Sequence, residues 1–415
     1  MTDNSTDQRD AAAIEFVASL GAAMTAASYP VTMIHDVMAA TAQACGLDSQ
    51  FLALPNYVQV GVAGGTGLYI ADTDIAMRYD QSFALAKLVA RAPTGLVSPA
   101  EGLAELARIR DMRMRLPVWV TVIGYAVQSA GLSLILQPAP LSLLAATAFG
   151  LLVGALSVLG SRHRGLNTLL PTLCAFLVAA GVFVVHNHWH IGSESLRALA
   201  PPLATFLPGD TITLAVIELA TKHVVSGASR LVAGFMQIAQ LAFGILIATQ
   251  LTGVADANLA TDPVNRLGPW APLVGVVVYA AGTMLHLGPP TRFLPWMLLM
   301  SLTAYGGQWV GNAVLGSYAS GFGGGLALII TALAVSHRPG TPPTVSLVLP
   351  GFWLLVPGSL GFMGVTQLLG SQNTAVFAAT LISMMSIAVG VQTGILLWRA
   401  AIHLTDTPHR QALHD

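Results

Sequence analysis

The chain has 415 residues, of which 54% are hydrophobic and only 9% charged, with a formal net charge of −1 and a mean hydropathy of +0.69. A soluble domain carries about 25% charged residues, so the composition excludes a wholly soluble fold and defines a polytopic α-helical membrane protein. The near-neutral charge balance points to no nucleic-acid partner. Twelve of the 19 acids and eight of the 18 bases lie before Leu116. The pattern therefore predicts a small α/β cytosolic domain over residues 1–115, followed by a membrane part.

Met1 to Asp10 is polar and acidic, which predicts no cleavable signal peptide. Residues 11–27 form an alanine-rich helix candidate. Ser28-Tyr29-Pro30 reads as the start of the next helix, with Ser28 as cap and Pro30 in the first turn. That helix runs from Val31 to Cys45 and stops at Gly46. Phe51 to Val62 reads as one or two strands, bounded by Pro55 and a glycine-rich turn at Gly64-Gly65-Thr66-Gly67. The turn lacks the Lys-Ser/Thr ending of a phosphate loop. Helices follow over Gln81–Ala92 and Ser98–Arg115, the second opening with the capping box Ser98-Pro99-Ala100-Glu101. Cys45 and Cys174 fit no metal spacing, and the sequence implies neither metal nor cofactor.

From Leu116 onward the apolar runs are long enough to cross a bilayer, which takes about 20 residues each. Ten spans are predicted: 117–136, 141–160, 168–187, 198–225, 228–251, 269–288, 293–311, 321–336, 344–369 and 374–399. Basic residues alternate between loops so as to place both termini in the cytoplasm. The outer loops then hold Arg197 and Arg266 alone.

The fourth and ninth spans are interrupted. Pro201 to Thr211 contains Leu207-Pro208-Gly209-Asp210, and Pro350 to Leu360 contains Val356-Pro357-Gly358-Ser359. Proline removes a backbone donor and crowds the preceding turn, so each helix should break and restart. Paired interruptions in two halves are the usual sequence sign of a transporter's binding site. Trp119, Gly124 and Gly131 are matched at a constant offset by Trp270, Gly275 and Gly282, and the breaks match at nearly the same offset. The expected architecture is two five-helix repeats of inverted topology, 116–251 and 252–405, with a cytosolic tail at 406–415.

In their order along the chain these motifs resemble the threonine/serine exporter family. The resemblance rests on Ser28-Tyr29-Pro30-Val31, Ser98 to Ile109, Pro117-x-Trp119, Leu207 to Asp210, Ser226-Gly227-Ala228-Ser229-Arg230 and Leu355 to Gly361. It implies a cytosolic domain fused to about ten spans, exporting small amino acids by exchange with protons through the cytoplasmic membrane. Some relatives are associated with dicarboxylates such as succinate, which stands as the alternative cargo. The expected partners are a small amino-acid substrate, protons and the lipid bilayer; the sequence leaves the oligomeric state open. No enzyme is expected, because no span brings a Ser or His beside an acid.

A helix N-terminus carries unpaired amides and about half a positive charge, which suits a carboxylate. Pro208, Gly209, Asp210 and Thr211 at one break, with Pro357, Gly358 and Ser359 at the other, are the candidate substrate- and proton-binding residues. Asp210 and Glu218 are the only acids predicted inside the spans, where acids are costly and default to function. Asp210 is either a ligand or proton group or a helix cap, and the two are compatible. Glu218 is either a proton acceptor or the partner of Lys222 four residues on. Thr211, Thr213 and Ser359 could meet a substrate hydroxyl or cap helix ends. Arg230 reads as an anchor at the inner surface.

Overall fold

The computed structural model describes residues 3–62, 68–73, 77–136, 139–161, 164–189, 195–253, 265–316, 319–338, 341–355 and 374–411. The chain divides into two compact units: Met1–Arg115 with Leu214–Val232, and Leu116–Thr213 with Ala233–Asp415.

The first unit begins with α1 (Asp3–Ala26) and α2 (Val31–Ala44). An antiparallel sheet in the order β1 (Ser49–Ala53), β2 (Tyr57–Val62) and β3 (Leu68–Asp72) follows, then α3 (Tyr79–Arg91) and α4 (Pro99–Arg110). Val58 and Val60 of β2 are fully buried, as are Phe16, Val17, Leu20 and Met24 of α1 and Ile34 and Met38 of α2. The other face of the sheet leaves Leu52, Leu68 and Ile70 exposed. The third strand goes beyond the expected one or two. Its apolar residues occupy both faces, so Leu68–Asp72 carries no alternation for a period-two reading to detect. The expected glycine-rich turn lies outside the described residues.

Two helix ends in this unit show how local chemistry decides. Ser98 accepts from the Glu101 amide at 3.4 Å, and the Glu101 carboxylate accepts from the Ser98 amide at 3.1 Å, so the capping box forms as its sequence predicts. Ser28 does not cap α2. It sits at φ 60°, with its own N–H donating to Thr25 and the Tyr29 N–H donating to Met24. That bond pair closes the C-terminus of α1 as a Schellman motif, with Ser28 in the left-handed position. Tyr29 and Met24 are both buried, the apolar contact that accompanies such an end. The residue before α2 is then Pro30, which has no side-chain acceptor to offer.

The second unit contains α5 (Val118–Leu136), α6 (Pro140–Gly160), α7 (Arg164–Trp189) and α8 (Ser195–Leu203). A 3₁₀ turn at Ala204–Phe206 leads to α9 (Gly209–Ala220) and α10 (Val224–Thr252), both of which contribute to the two units. The rest is α11 (Ala271–Leu287), α12 (Leu294–Leu315), α13 (Ser320–Ser336), α14 (Thr344–Leu355) and α15 (Thr374–Gln411). Among the described residues, five helices are long and apolar enough to cross a membrane. Leu199–Phe206 and Gly209–Ala220 make a sixth if the pair, bent by 54°, is one span. α11, α13 and α14 are apolar but shorter, and the continuation of α14 lies outside the described residues.

α5 and α11 pack antiparallel along a seam of glycines. A side chain added at Gly131 would overlap the backbone of Tyr279, and one at Gly282 the backbone of Gln128. Gly124 likewise meets the Leu285–His286 backbone, and Gly275 meets Leu134 and Ile135. Helices in lipid gain no hydrophobic force from meeting, so small residues that admit close backbone contact drive their association. The register is reciprocal: Gln128 and Tyr279, like Gly131 and Gly282, are 151 positions apart in the sequence. Each glycine faces the counterpart of the other helix's large residue. The Gly323-Gly324-Gly325 run serves the same purpose, Gly323 meeting Gly307 and Gly311 of α12, and Gly325 the Ile387 carbonyl of α15.

Replacing Gly282 by Leu should therefore break the seam, whereas Gly306→Ala, with nothing within 4 Å of the added carbon, should be neutral. The expected outcome is loss of the monodisperse peak in size-exclusion chromatography for Gly282→Leu alone.

Candidate functional site

The helix break creates polar ends that need partners, because the last carbonyls of a helix have no intrahelical donor. Two of those ending α8 find donors on α5. The Tyr125 hydroxyl donates to the Pro202 carbonyl at 2.8 Å, and the Ser129 hydroxyl to Pro201 at 3.3 Å. Tyr125 also lies 2.6 Å from the Thr205 hydroxyl. On the other side, Gln237 of α10 donates to the Phe206 carbonyl at 2.9 Å. The Tyr279 hydroxyl of α11 donates to the Pro350 carbonyl of α14 at 3.1 Å. The seam helices thus hold both proline-containing segments.

A cavity of about 250 Å³ opens beside this network. It falls below the about 300–1,000 Å³ of sites for drug-sized ligands, as suits a small molecule. Gln128 and Leu132 come from α5, and Ala204, Thr205, Leu207, Gly209 and Asp210 from the break. Tyr279, His286 and Leu287 come from α11, and Phe352 and Trp353 from α14. Gln128 is 5% exposed, and its Oε1 has no hydrogen-bond partner. His286 places Nδ1 3.2 Å from the Thr121 carbonyl and packs edge-on against the Tyr125 ring, with centroids 4.9 Å apart.

The predicted residues divide among several places. Gly209 and Asp210 line the cavity. Asp210 Oδ1 accepts from the Thr211 amide at 2.8 Å, with the Thr211 hydroxyl 3.4 Å away. Asp210 thus caps α9 while also facing the cavity. The Gly209 amide donates to Leu207 and the Ile212 amide to Pro208, so three of the first four amides of α9 already have acceptors. Pro208 and Thr213 are buried but do not line the cavity, and the Thr213 hydroxyl has no partner. Pro357, Gly358 and Ser359 lie outside the described residues.

Glu218 belongs to the other unit and is fully buried. Oε2 accepts from the Ser226 hydroxyl at 2.7 Å, and Oε1 from the Val31 amide at the start of α2 at 3.3 Å. Arg230 Nε lies 3.2 Å from Oε1, a contact of charge rather than a directed hydrogen bond. The carboxylate supplies the cap that Pro30 cannot, and the positive end of the α2 dipole adds to the Arg230 charge. The expected alternative, pairing with Lys222, does not form. Lys222 lies past the end of α9 at φ 68°, where the His223→Glu218 and Lys222→Leu219 backbone bonds make a second Schellman closure. Arg230 is itself 9% exposed, so it is a buried ion-pair partner rather than a surface anchor.

Sequence reasoning missed Gln128, Thr205, Tyr279, His286, Phe352 and Trp353. A signal was present for two of them. Gln128 and Tyr279 lie within a turn of the matched glycines Gly131 and Gly282, so the residues matched at a constant offset also flank the cavity.

These features define a polytopic helical membrane protein with a cavity at a broken helix, an arrangement typical of secondary transporters. Residues 15–252 match the family model ThrE, described as "Putative threonine/serine exporter". This is more than half of the chain, which belongs to that family. It is also similar to "Pheromone-regulated membrane protein 10" of Kluyveromyces lactis, with 22% identity over 92% of this chain and 42% of the relative. The protein of the same description from Zygosaccharomyces rouxii is 26% identical over 66% of this chain and 29% of its own length. An uncharacterized protein of Schizosaccharomyces pombe is 24% identical over 92% of this chain and 54% of its own length. The chain thus spans about half or less of these relatives. No solved structure matches it.

Removing one partner of a buried ion pair leaves an uncompensated charge and costs about 3–5 kcal/mol. Glu218→Ala should destabilise the first unit on that scale, whereas Lys222→Ala should change its stability by less than about 0.5 kcal/mol. Denaturant unfolding of the two variants, followed by circular dichroism, checks the contrast.

Proposed function

We propose that this protein is a secondary exporter carrying small amino acids, threonine and serine among them, across the cytoplasmic membrane in exchange for protons. The observation that carries the reading is the small cavity at the α8–α9 break, with Asp210 at its wall, in a chain of the exporter family. Asp210 is the substrate-ammonium and proton group. Its carboxylate accepts from the Thr211 amide. When it turns to an ammonium or takes a proton, that amide is released to the substrate carboxylate, so the two charged ends of an amino acid are read together. The second break, at Pro357, Gly358 and Ser359, supplies a further amide end in this reading. Thr211 serves the hydroxyl or the helix turn. Glu218 anchors α2 rather than carrying protons.

In the same reading the chain has ten spans with both termini in the cytoplasm, arranged as two inverted repeats of five. The reciprocal glycine register of α5 and α11 supports that arrangement, since a two-fold relation between the halves makes each contact occur twice. The residues before Leu116 form a cytosolic domain.

The test is retention of labelled threonine in preloaded cells, with and without an uncoupler. Wild-type cells should empty at least tenfold faster than deletion cells and lose the difference when uncoupled. Asp210→Asn should behave like the deletion. Equal retention in wild-type and deletion cells would sink the export reading. Competition by succinate as strong as that by unlabelled threonine would move the cargo to the dicarboxylate class.

A further inference from the structure

We infer that His286 is a second proton-carrying group of the cavity, and that a proton on its ring and the ammonium of a cargo amine exclude one another there. The inference rests on the export reading above and names a group that makes the exchange compulsory. It begins from a bond whose direction is fixed. The Thr121 carbonyl, 3.2 Å from His286 Nδ1, can only accept, so Nδ1 carries the proton of the neutral ring. Nε2 then holds the lone pair, and it makes no hydrogen bond among the described residues. An imidazole held in this tautomer takes up a second proton without giving up its bond to α5. His286 lines the cavity and is part-exposed, so the charge, spread over the ring, arises at the cavity wall.

The surroundings of the ring decide what that charge does. On α5 it meets the Tyr125 ring edge-on, and Asp210 and Tyr279 share the cavity wall with it. Both tyrosines commit their hydroxyl protons to backbone carbonyls, at Pro202 and Pro350. α14 carries no titratable residue, and α12, which also packs on α11, carries only Tyr305. Arg292, in the turn before α12, is exposed. His286 makes no ion pair among the described residues, so no carboxylate locks it in the charged form. A sphere with the volume of the cavity is about 8 Å across, which keeps an ammonium inside it within about one Debye length of the imidazole. Protonation of Asp210 removes a counter-charge from the amine, and protonation of His286 adds a like charge. The two act in the same direction, and His286 does so in the range where imidazoles ordinarily titrate.

The experiment uses the purified full chain in detergent. Threonine binding is followed by titration calorimetry from pH 5 to 7.5 in buffers of different ionisation enthalpy, which counts the protons released. Wild-type protein should bind threonine at least fivefold more weakly at pH 5 than at pH 7.5, and should release protons on binding. His286→Asn puts an amide N–H in place of Nδ1–H, which keeps a donor for Thr121 but cannot take a proton; it should lose at least half of the release. Unchanged release in this variant, or none in wild type, overturns the assignment. A second measurement needs neither the variant nor a ligand. Carbethoxylation of His286, read by mass spectrometry, should rise at least fivefold between pH 5 and pH 7.5, because only the neutral ring reacts. Reactivity that stays level across this range overturns the assignment by itself. Proteoliposomes separate this inference from the reading beneath it. Proton release on binding without threonine flux upholds His286 and overturns export, whereas flux with a pH profile that His286→Asn leaves unchanged does the reverse.

Discussion

Backbone contact between α5 and α11 is the constraint on which the membrane unit depends. Four glycines, Gly124, Gly131, Gly275 and Gly282, bring the two helices to a separation that no side chain at those positions would allow. In lipid this contact is held by packing and by weak Cα–H···O interactions rather than by expulsion of water. Its consequence lies in the residues between the glycines. Gln128 rests against Gly282 and Tyr279 against Gly131, so each polar side chain starts from a backbone fixed by the facing glycine. From there Tyr279 reaches the Pro350 carbonyl, while Tyr125 and Ser129 reach those of Pro202 and Pro201. The seam therefore sets where the interrupted segments sit, and the cavity is what remains between them.

The Glu218 cluster obeys a different rule. A carboxylate removed from water is expensive, and attraction to one cation seldom repays the cost. Here the charge is shared among Arg230, the Ser226 hydroxyl and the first amide of α2. Arg230 retains two buried nitrogens, Nε and Nη2, without a hydrogen bond, so the network is not fully satisfied. Such a cluster ties the start of α2 to the α9–α10 turn through the carboxylate. Pro30, at the head of α2, makes no side-chain cap of its own.

Much of the fold was legible where the determining contacts are local. The Ser98–Glu101 box forms as its spacing requires, and Pro208-Gly209 breaks the helix where proline lacks a donor. The glycine matches at a constant offset were legible as a repeat, and they proved to be a contact surface. What the sequence hid is long-range. Ser28 has the chemistry of a cap, yet its left-handed backbone commits it to ending α1. Lys222 has the right spacing for Glu218 but lies past the end of the helix, and the true partners Arg230 and Val31 are 12 and 187 positions away. Gln128, Tyr279 and His286 were passed over because nothing near them in sequence is polar or charged enough to mark a site.

The same distinction reorders the chemistry of the cavity. A broken helix suggests an anion site, because its amide end is positive and unpaired. At α9 that expectation meets a local obstacle: Leu207, Pro208 and Asp210 supply acceptors for three of the first four amides. The break by itself thus offers little to a free carboxylate. Buried side-chain atoms without a hydrogen-bond partner lie both on α9, at the Thr213 hydroxyl, and on the seam, at Gln128 Oε1. The polar character of the cavity is therefore shared between side chains on helices that the glycine contact positions and the Asp210 carboxylate that the break brings to its wall.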